Sequence, residues 1–187
     1  MSKRILLLAS GAGSLAQAIL SAHRAGEINA EIVGLISDKN SPALQVARDF
    51  GVPDFYIPMQ KNRSIWDQEI FARTQTLTPE LIVSVGFMRI LAPLFVSTFR
   101  VINTHPSLLP LYPGAHAVRD TLQATAGVTG TTVHWVDSGL DTGQVISQRQ
   151  VEVFASDDEA TLHERIKIAE RALIIEALAE YGRTGKL

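Results

Sequence analysis

The chain has 187 residues, 46% hydrophobic and 19% charged, with 17 basic and 19 acidic side chains giving a formal net charge of -2. That much apolar surface excludes a disordered chain and suffices for one compact core, while the near balance of charge leaves no basic footprint for nucleic acid, so a small ligand is expected. There are no cysteines, which excludes structural disulfides, thiolate nucleophiles and cysteine-ligated zinc, and fits a reducing cytoplasm.

Strand-length apolar runs fall at residues 4–9, 32–36, 81–85 and 100–102, with a short edge run at 55–57. They are near-continuous rather than alternating, as in parallel strands covered on both faces. Helical patterns at 14–24, 42–50, 64–76 and 92–98 separate them and are long enough to serve as right-handed crossovers. The first run is too short for the apolar part of a signal peptide, and no run approaches membrane-spanning length, so a cytoplasmic protein is expected. Residues 117–126 read as a further helix. Two Val/Thr/Ile-rich runs, 130–136 and 144–153, read as a long hairpin. Asp157-Asp158-Glu159 opens a last helix through about Tyr181, with Gly182 as its stop. The expected architecture is α/β: a Rossmann-like, doubly wound, mostly parallel sheet with a C-terminal hairpin and final helix, in one domain over 1–187.

The chemistry centres on Asn103-Thr104-His105 and on Asp141 within Gly139-Leu140-Asp141-Thr142-Gly143. The first pair stands where the 100–102 strand gives way to a proline-studded loop, and the aspartate lies between the hairpin strands. Ligands of open parallel sheets bind outside the carboxyl ends of strands. Side chains alternate along an extended backbone, so Asn103 and His105 can face one pocket. Asp141 can then stabilise the charged imidazole, the set supplying an amide donor, an imidazole and a carboxylate. An Asp in a glycine-rich turn also commonly bonds its own backbone. His134, at a strand end, is either a second polar group beside this set or a core histidine. His23, His116 and His163 belong to no constellation. No histidine pair has metal-ligand spacing with an acid, so no metal is expected.

Ser10-Gly11-Ala12-Gly13-Ser14-Leu15-Ala16 joins the first strand to the first helix, where backbone N–H groups make an anion site suited to phosphate. It also fits a dinucleotide fingerprint, with Asp38 as the acid for a nicotinamide ribose, and a plain glycine turn is the third reading. Gly86-Phe87-Met88-Arg89-Ile90-Leu91 follows the fourth strand and suits a planar heterocycle, although Phe and Met there are often core filler.

Taken in order across nearly the whole chain, these segments, with Pro106-Ser107-Leu108-Leu109-Pro110, Tyr112-Pro113-Gly114 and Gly130-Thr131-Thr132-Val133-His134, resemble the glycinamide ribonucleotide formyltransferases, a folate-dependent family of de novo purine synthesis. The resemblance implies formyl transfer from 10-formyltetrahydrofolate, a cosubstrate, to the amine of glycinamide ribonucleotide. It implies that Asn103 and protonated His105 hydrogen-bond the developing oxyanion while Asp141 keeps His105 charged and organises proton transfer through water. The pterin would lie against Met88, Arg89, Ile90 and Leu91, beside Asn103 and the Asp137-Ser138-Gly139-Leu140-Asp141 loop, with Arg63 near the folate. Gly11, Ala12, Gly13, Ser14 and Leu15 would hold the substrate phosphate, with Lys167 and Glu170 facing phosphate and ribose. Without the resemblance, that last pair reads as an exposed i, i+3 ion pair. The family loop often reads Gly-Asn-Gly-Ser-Asn, so Ala12 and Leu15 leave two side-chain amides missing, and phosphate would rest on backbone N–H groups. The expected partners are these two small molecules, with no nucleic acid and no membrane, and a homodimer remains open.

Three rivals stand beside this reading. Formyltetrahydrofolate deformylase shares the Asn-His and Asp set but uses water as acceptor, and it typically carries an N-terminal regulatory domain for which a first strand at Arg4 is expected to leave no room. Methionyl-tRNA formyltransferase typically adds a C-terminal tRNA-binding domain and changes the His-Pro-Ser context. A nicotinamide-dependent oxidoreductase or nucleotide-binding module explains the glycine turn and Asp38, but not the Asn103, His105 and Asp141 set.

Overall fold

A computed structural model describes residues 3–187, so residues 1 and 2 of the expected domain lie outside the described residues. Seven strands form one sheet: β1 Lys3–Ala9, β2 Ala30–Ser37, β3 Asp54–Tyr56, β4 Leu81–Ser84, β5 Val101–His105, β6 Val128–Trp135 and β7 Val145–Glu152. Six helices accompany them among the described residues: α1 Ser14–Arg24, α2 Pro42–Asp49, α3 Arg63–Leu77, α4 Pro93–Thr98, α5 Ala117–Gln123 and α6 Glu159–Thr184. The spatial order is β3-β2-β1-β4-β5-β6-β7. The first five strands pair in parallel, whereas β6 and β7 run antiparallel as the expected hairpin.

The alternation of β1 divides the core. Ile5 and Leu7 face α1 and α6, meeting Ile19, Leu20, Ile174 and Leu178. Leu6 and Leu8 face the other way, towards Trp66 and Ile70 of α3 and Phe95 of α4. Each such buried side chain contributes about 1.5–3 kcal/mol of transfer free energy. Trp66 also donates its indole N–H to the Ile57 carbonyl at 3.0 Å, so truncating it to Ala would both open a cavity and orphan that carbonyl, costing about 3–5 kcal/mol.

Element ends shift by up to three residues from the sequence reading, and two of the shifts have a clear physical cause. β5 continues to His105, because Asn103, Thr104 and His105 pair across to His134, Val133 and Thr132 of β6. The extended backbone expected at Asn103 and His105 is therefore part of the sheet itself. The last helix passes through Gly182 and stops at Gly185, which sits in the left-handed region at φ 74. At position 182 a Cβ would come within 2.7 Å of the Asn29 carbonyl oxygen, so that glycine serves close packing rather than termination. The start is as expected: Asp158 and Thr161 form a capping box, and the Arg165 guanidinium holds the Asp157 carboxyl at about 2. No helix among the described residues is long and apolar enough to cross a membrane.

Candidate active site

A cleft of about 460 Å³ opens beyond the carboxyl ends of β4 and β5. One wall is residues 86–91, the other the loop after β6, and Asn103, His105, His134 and Asp141 lie between them. A second cavity of about 470 Å³, near Leu20, Ala30 and Phe50, contains none of these four groups.

Period-two alternation places Asn103 and His105 on the cleft side of β5, while the hydroxyl of Thr104 turns to α6 and donates to Glu170 Oε1 at 2.6 Å. His105 is buried, with Nε2 at 2.8 Å from the Tyr112 carbonyl oxygen and Nδ1 at 3.3 Å from Asp141 Oδ2. Both neighbours are acceptors: Nε2 is engaged by a hydrogen bond, whereas Nδ1 faces the Asp141 carboxylate at ion-pair distance.

Asp141 is anchored from the opposite loop, its Oδ2 accepting the Gly114 N–H at 2.8 Å. The self-bonding turn role belongs instead to Asp137, whose Oδ1 accepts from Gly139 N–H at 2.9 Å and from the Thr142 hydroxyl at 2.8 Å. Asp141 therefore points its carboxylate into the cleft from a left-handed backbone at φ 54.

Strand register puts His134 directly opposite Asn103. Its Nδ1 lies 2.9 Å from the Trp135 carbonyl oxygen and its Nε2 lies 3.3 Å from the Asn103 side-chain nitrogen. Burial lowers its pKa from the usual histidine value; the Trp135 carbonyl and Asp141 oppose that, and His105 adds to it. The neutral tautomer with its proton on Nδ1 satisfies both contacts: it donates to Trp135 and accepts from Asn103. The second N–H of the Asn103 amide remains available for a ligand oxygen.

Met88, Arg89, Ile90, Leu91, Asp137, Gly139 and Leu140 line the cleft as the sequence suggested, with Met88, Ile90 and Leu140 largely exposed as apolar walls. Ser138 does not line it. Arg63 stands behind the wall rather than in it, bonded to the Ile90 carbonyl and to Asp67, with its guanidinium over the Trp66 ring. Residues 11–15 lie outside the lining but adjoin it, since the Ser10 N–H donates to the Gly86 carbonyl at 3.2 Å. Gly11, Ala12 and Ser14 are exposed, and Leu15 turns into the core.

Lys167 and Glu170 do not pair with each other. Lys167 bonds Glu164 at 2.6 Å, and Glu170 holds Thr104. Burial raises the pKa of Glu170, opposed by the Thr104 hydroxyl. Glu159, His116 and His163 line the cleft, although spacing alone gave no signal for them. Asp38 is fully buried and bonded to Ser10 and Arg89, so its carboxylate does not face a ribose as a nicotinamide reading requires. Among the described residues no three His, Cys, Asp or Glu side chains form a group that could hold a metal ion.

Comparison with known proteins gives these features a context. A family model described as formyl transferase matches residues 3–178. The chain belongs to the formyl transferase family. It is 45% identical over 186 residues to the phosphoribosylglycinamide formyltransferase of Mycobacterium tuberculosis (strain H37Rv), covering 97% of this chain and 86% of that protein. It is also 42% identical over 184 residues to the trifunctional purine biosynthetic protein adenosine-3 of Drosophila pseudoobscura pseudoobscura, covering 95% of this chain and 14% of that longer protein. The crystal structure of glycinamide ribonucleotide transformylase 1 from Symbiobacterium toebii superposes with a TM-score of 0.93 at 34% identity, covering 97% of this chain and 88% of that one. Membership of the formyl transferase family implies a folate-type formyl donor and small-molecule substrates.

Proposed function

We propose that this chain, as one domain over 1–187, transfers the formyl group of 10-formyltetrahydrofolate to the primary amine of glycinamide ribonucleotide, giving formylglycinamide ribonucleotide in de novo purine synthesis. The observation that carries the reading is the convergence of the Asn103 amide, the His105 ring and the Asp141 carboxylate in one cleft of a chain so similar to phosphoribosylglycinamide formyltransferases. The donor supplies a formyl carbonyl, and the exposed apolar faces of Met88, Ile90 and Leu140 suit a flat heterocycle on either side of it.

As the amine adds to the formyl carbon, negative charge develops on the carbonyl oxygen. Asn103 donates its free amide N–H to that oxygen, and His134 fixes the amide's direction by accepting the other N–H. His105, flanked by the Tyr112 carbonyl and Asp141, places a positive ring beside the oxygen; its direct bond to the oxygen would require one of these two contacts to be shared. Preorganised donors of this kind are worth about 2.7–4 kcal/mol each in other enzymes. Asp141 keeps the ring charged and accepts the amine's proton through water, returning it to the departing nitrogen, with no covalent bond to the protein. The phosphate would rest on the backbone N–H groups of residues 13–15 at the amino end of α1, and Lys167 and Glu170 would meet phosphate and ribose.

The direct test is incubation of the purified protein with both substrates and identification of the products. Formylglycinamide ribonucleotide and tetrahydrofolate in equal amounts are expected. No formylated ribonucleotide under saturating conditions would reject the reading.

A further inference from the structure

Asp38 follows β2, outside the cleft, and its side chain is fully buried. Its Oδ1 accepts the Ser10 hydroxyl at 2.5 Å, and its Oδ2 accepts Nε of Arg89 at 2.5 Å. The Ser10 oxygen in turn accepts the backbone N–H of Met88 at 2.9 Å. One carboxylate therefore joins the residue that opens the glycine turn to two successive residues of the 86–91 wall. The β2–α2 turn carrying it is braced as well: the Ser37 hydroxyl bonds the Lys39 carbonyl at 2.7 Å, and the Ala43 N–H reaches the Gly11 carbonyl at 3.4 Å.

An ion pair inside a protein is weak evidence for stability alone, because apolar residues of similar volume often serve as well. What this one supplies is direction. The turn and the wall leave the sheet from neighbouring strands β1 and β4, and only β1 and β4 themselves are laddered together. Beyond the strand ends, the Asp38, Ser10 and Arg89 bonds, with the Ser10 to Gly86 backbone bond, fix where one segment stands relative to the other.

The geometry points to Asp38 as a positioning residue that holds the donor-binding wall and the phosphate-binding turn in one arrangement. The inference rests on the proposed function, which gives the wall to the formyl donor and the turn to the ribonucleotide. Loosening the network weakens both ground-state complexes together. Turnover at saturation is little affected, because Asn103, His105 and Asp141 are held by β5, β6, Tyr112 and Gly114, none of which bonds Asp38.

The test is two-substrate steady-state kinetics on wild type, Asp38→Asn and Ser10→Ala, with thermal unfolding and active-site titration to count native enzyme. Asp38→Asn keeps the volume but loses the charged acceptor, so KM should rise about tenfold for each substrate, as for loss of one hydrogen bond to a charged group, with kcat little changed. Ser10→Ala should raise both KM values in the same sense by less. Both KM values unchanged, a lower kcat at unchanged KM, or a rise in the donor KM alone would overturn the inference. Should Asp38→Asn not fold, Ser10→Ala decides by the same criteria. A wild-type enzyme saturable by neither substrate would instead overturn the assignment of the two segments.

Discussion

Tyr112 presents its carbonyl to Nε2 of His105 at 2.8 Å from a left-handed backbone, at φ 52. A non-glycine residue held there stores on the order of 1–3 kcal/mol of strain. Asp141, the acceptor on the other side of the ring, is left-handed too. The imidazole is thus clamped between two acceptors that both come from strained loop positions, which ties the charge of the site to the exact path of two loops.

Asp141→Asn should leave a folded protein whose kcat is lower by about 10²–10³, the range seen when one element of oxyanion stabilisation is removed. The amide oxygen can still accept the Gly114 N–H, so the protein should still fold, at a cost of about 1–3 kcal/mol for the lost charged partner of His105. Turnover and thermal unfolding on the same preparation check this, and near wild-type turnover would remove Asp141 from the mechanism.

The parallel half of the fold was legible because β1, β2 and β4 are covered on both faces, so their sequences read as continuous apolar runs. Asn103, His105 and Asp141 were legible through alternation and glycine punctuation. His134 was only half so, since its place opposite Asn103 depends on antiparallel register, which local pattern does not encode. Tyr112 acts through a backbone carbonyl and Glu170 through burial against Thr104, and neither leaves a mark in side-chain spacing. The Ser10, Asp38 and Arg89 network joins three strand ends, so proximity came only with the topology.

His134 sets an acid limit. Its folded pKa lies below the ordinary 6.5, so between that value and 6.5 the unfolded chain binds the extra proton and the folded one does not. Stability is therefore full above about 6.5 and falls as pH drops towards the folded pKa. His163, lowered mainly by burial, acts in the same sense. Protonating His134 also removes the acceptor for Asn103. In His134→Phe, kcat should fall and the loss of Tm between about pH 7 and pH 5 should shrink relative to wild type; an unchanged slope would show that His134 does not titrate there.

Glu170 has the opposite sign. Burial raises its pKa, so the folded chain holds this proton more tightly than the unfolded one. Its favourable contribution is present at low pH and is lost as pH rises through 4.5 towards the folded pKa. Glu170→Gln retains an oxygen for the Thr104 hydroxyl and removes the buried charge, so at about pH 8 its Tm should exceed wild type by roughly 2–4 °C, the shift that 1 kcal/mol gives at this chain size. The gap should close near pH 4. A ribonucleotide KM that rises in the same variant would mark a carboxylate kept for binding at the expense of stability, and a lower Tm at pH 8 would contradict the burial argument.

The glycine turn separates folding from ligand contact. At Gly13, with φ 79, a Cβ would come within 2.7 Å of the Ala43 backbone, whereas at Gly11 it would meet nothing within 4 Å. Gly13→Ala should therefore destabilise by about 1–3 kcal/mol. Gly11→Ala should unfold like wild type while raising the ribonucleotide KM, because the added methyl enters the open space beside the turn proposed to hold the phosphate. An unchanged KM in Gly11→Ala would show that the phosphate does not approach the backbone at Gly11.

The nature of the acceptor is the sharpest discriminator, since Asn103, His105 and Asp141 serve an amine and a water equally well. A hydrolase has no use for a phosphate site, yet this chain keeps an exposed turn of glycines at the amino end of α1 with Lys167 and Glu170 on α6. Among the described residues Lys167 is engaged by an exposed neighbour, Glu164, an ion pair worth little to stability and readily exchanged for a phosphate. Binding energy from that remote phosphate is expected to hold the amine against the formyl carbon, so glycinamide ribonucleotide should react far faster than the dephosphorylated riboside at equal concentration. Incubation with 10-formyltetrahydrofolate alone should release little formate, and adding the ribonucleotide should start turnover at once. Release of formate at the full rate before any acceptor is added would assign the cleft to hydrolysis and leave the glycine turn without its proposed role.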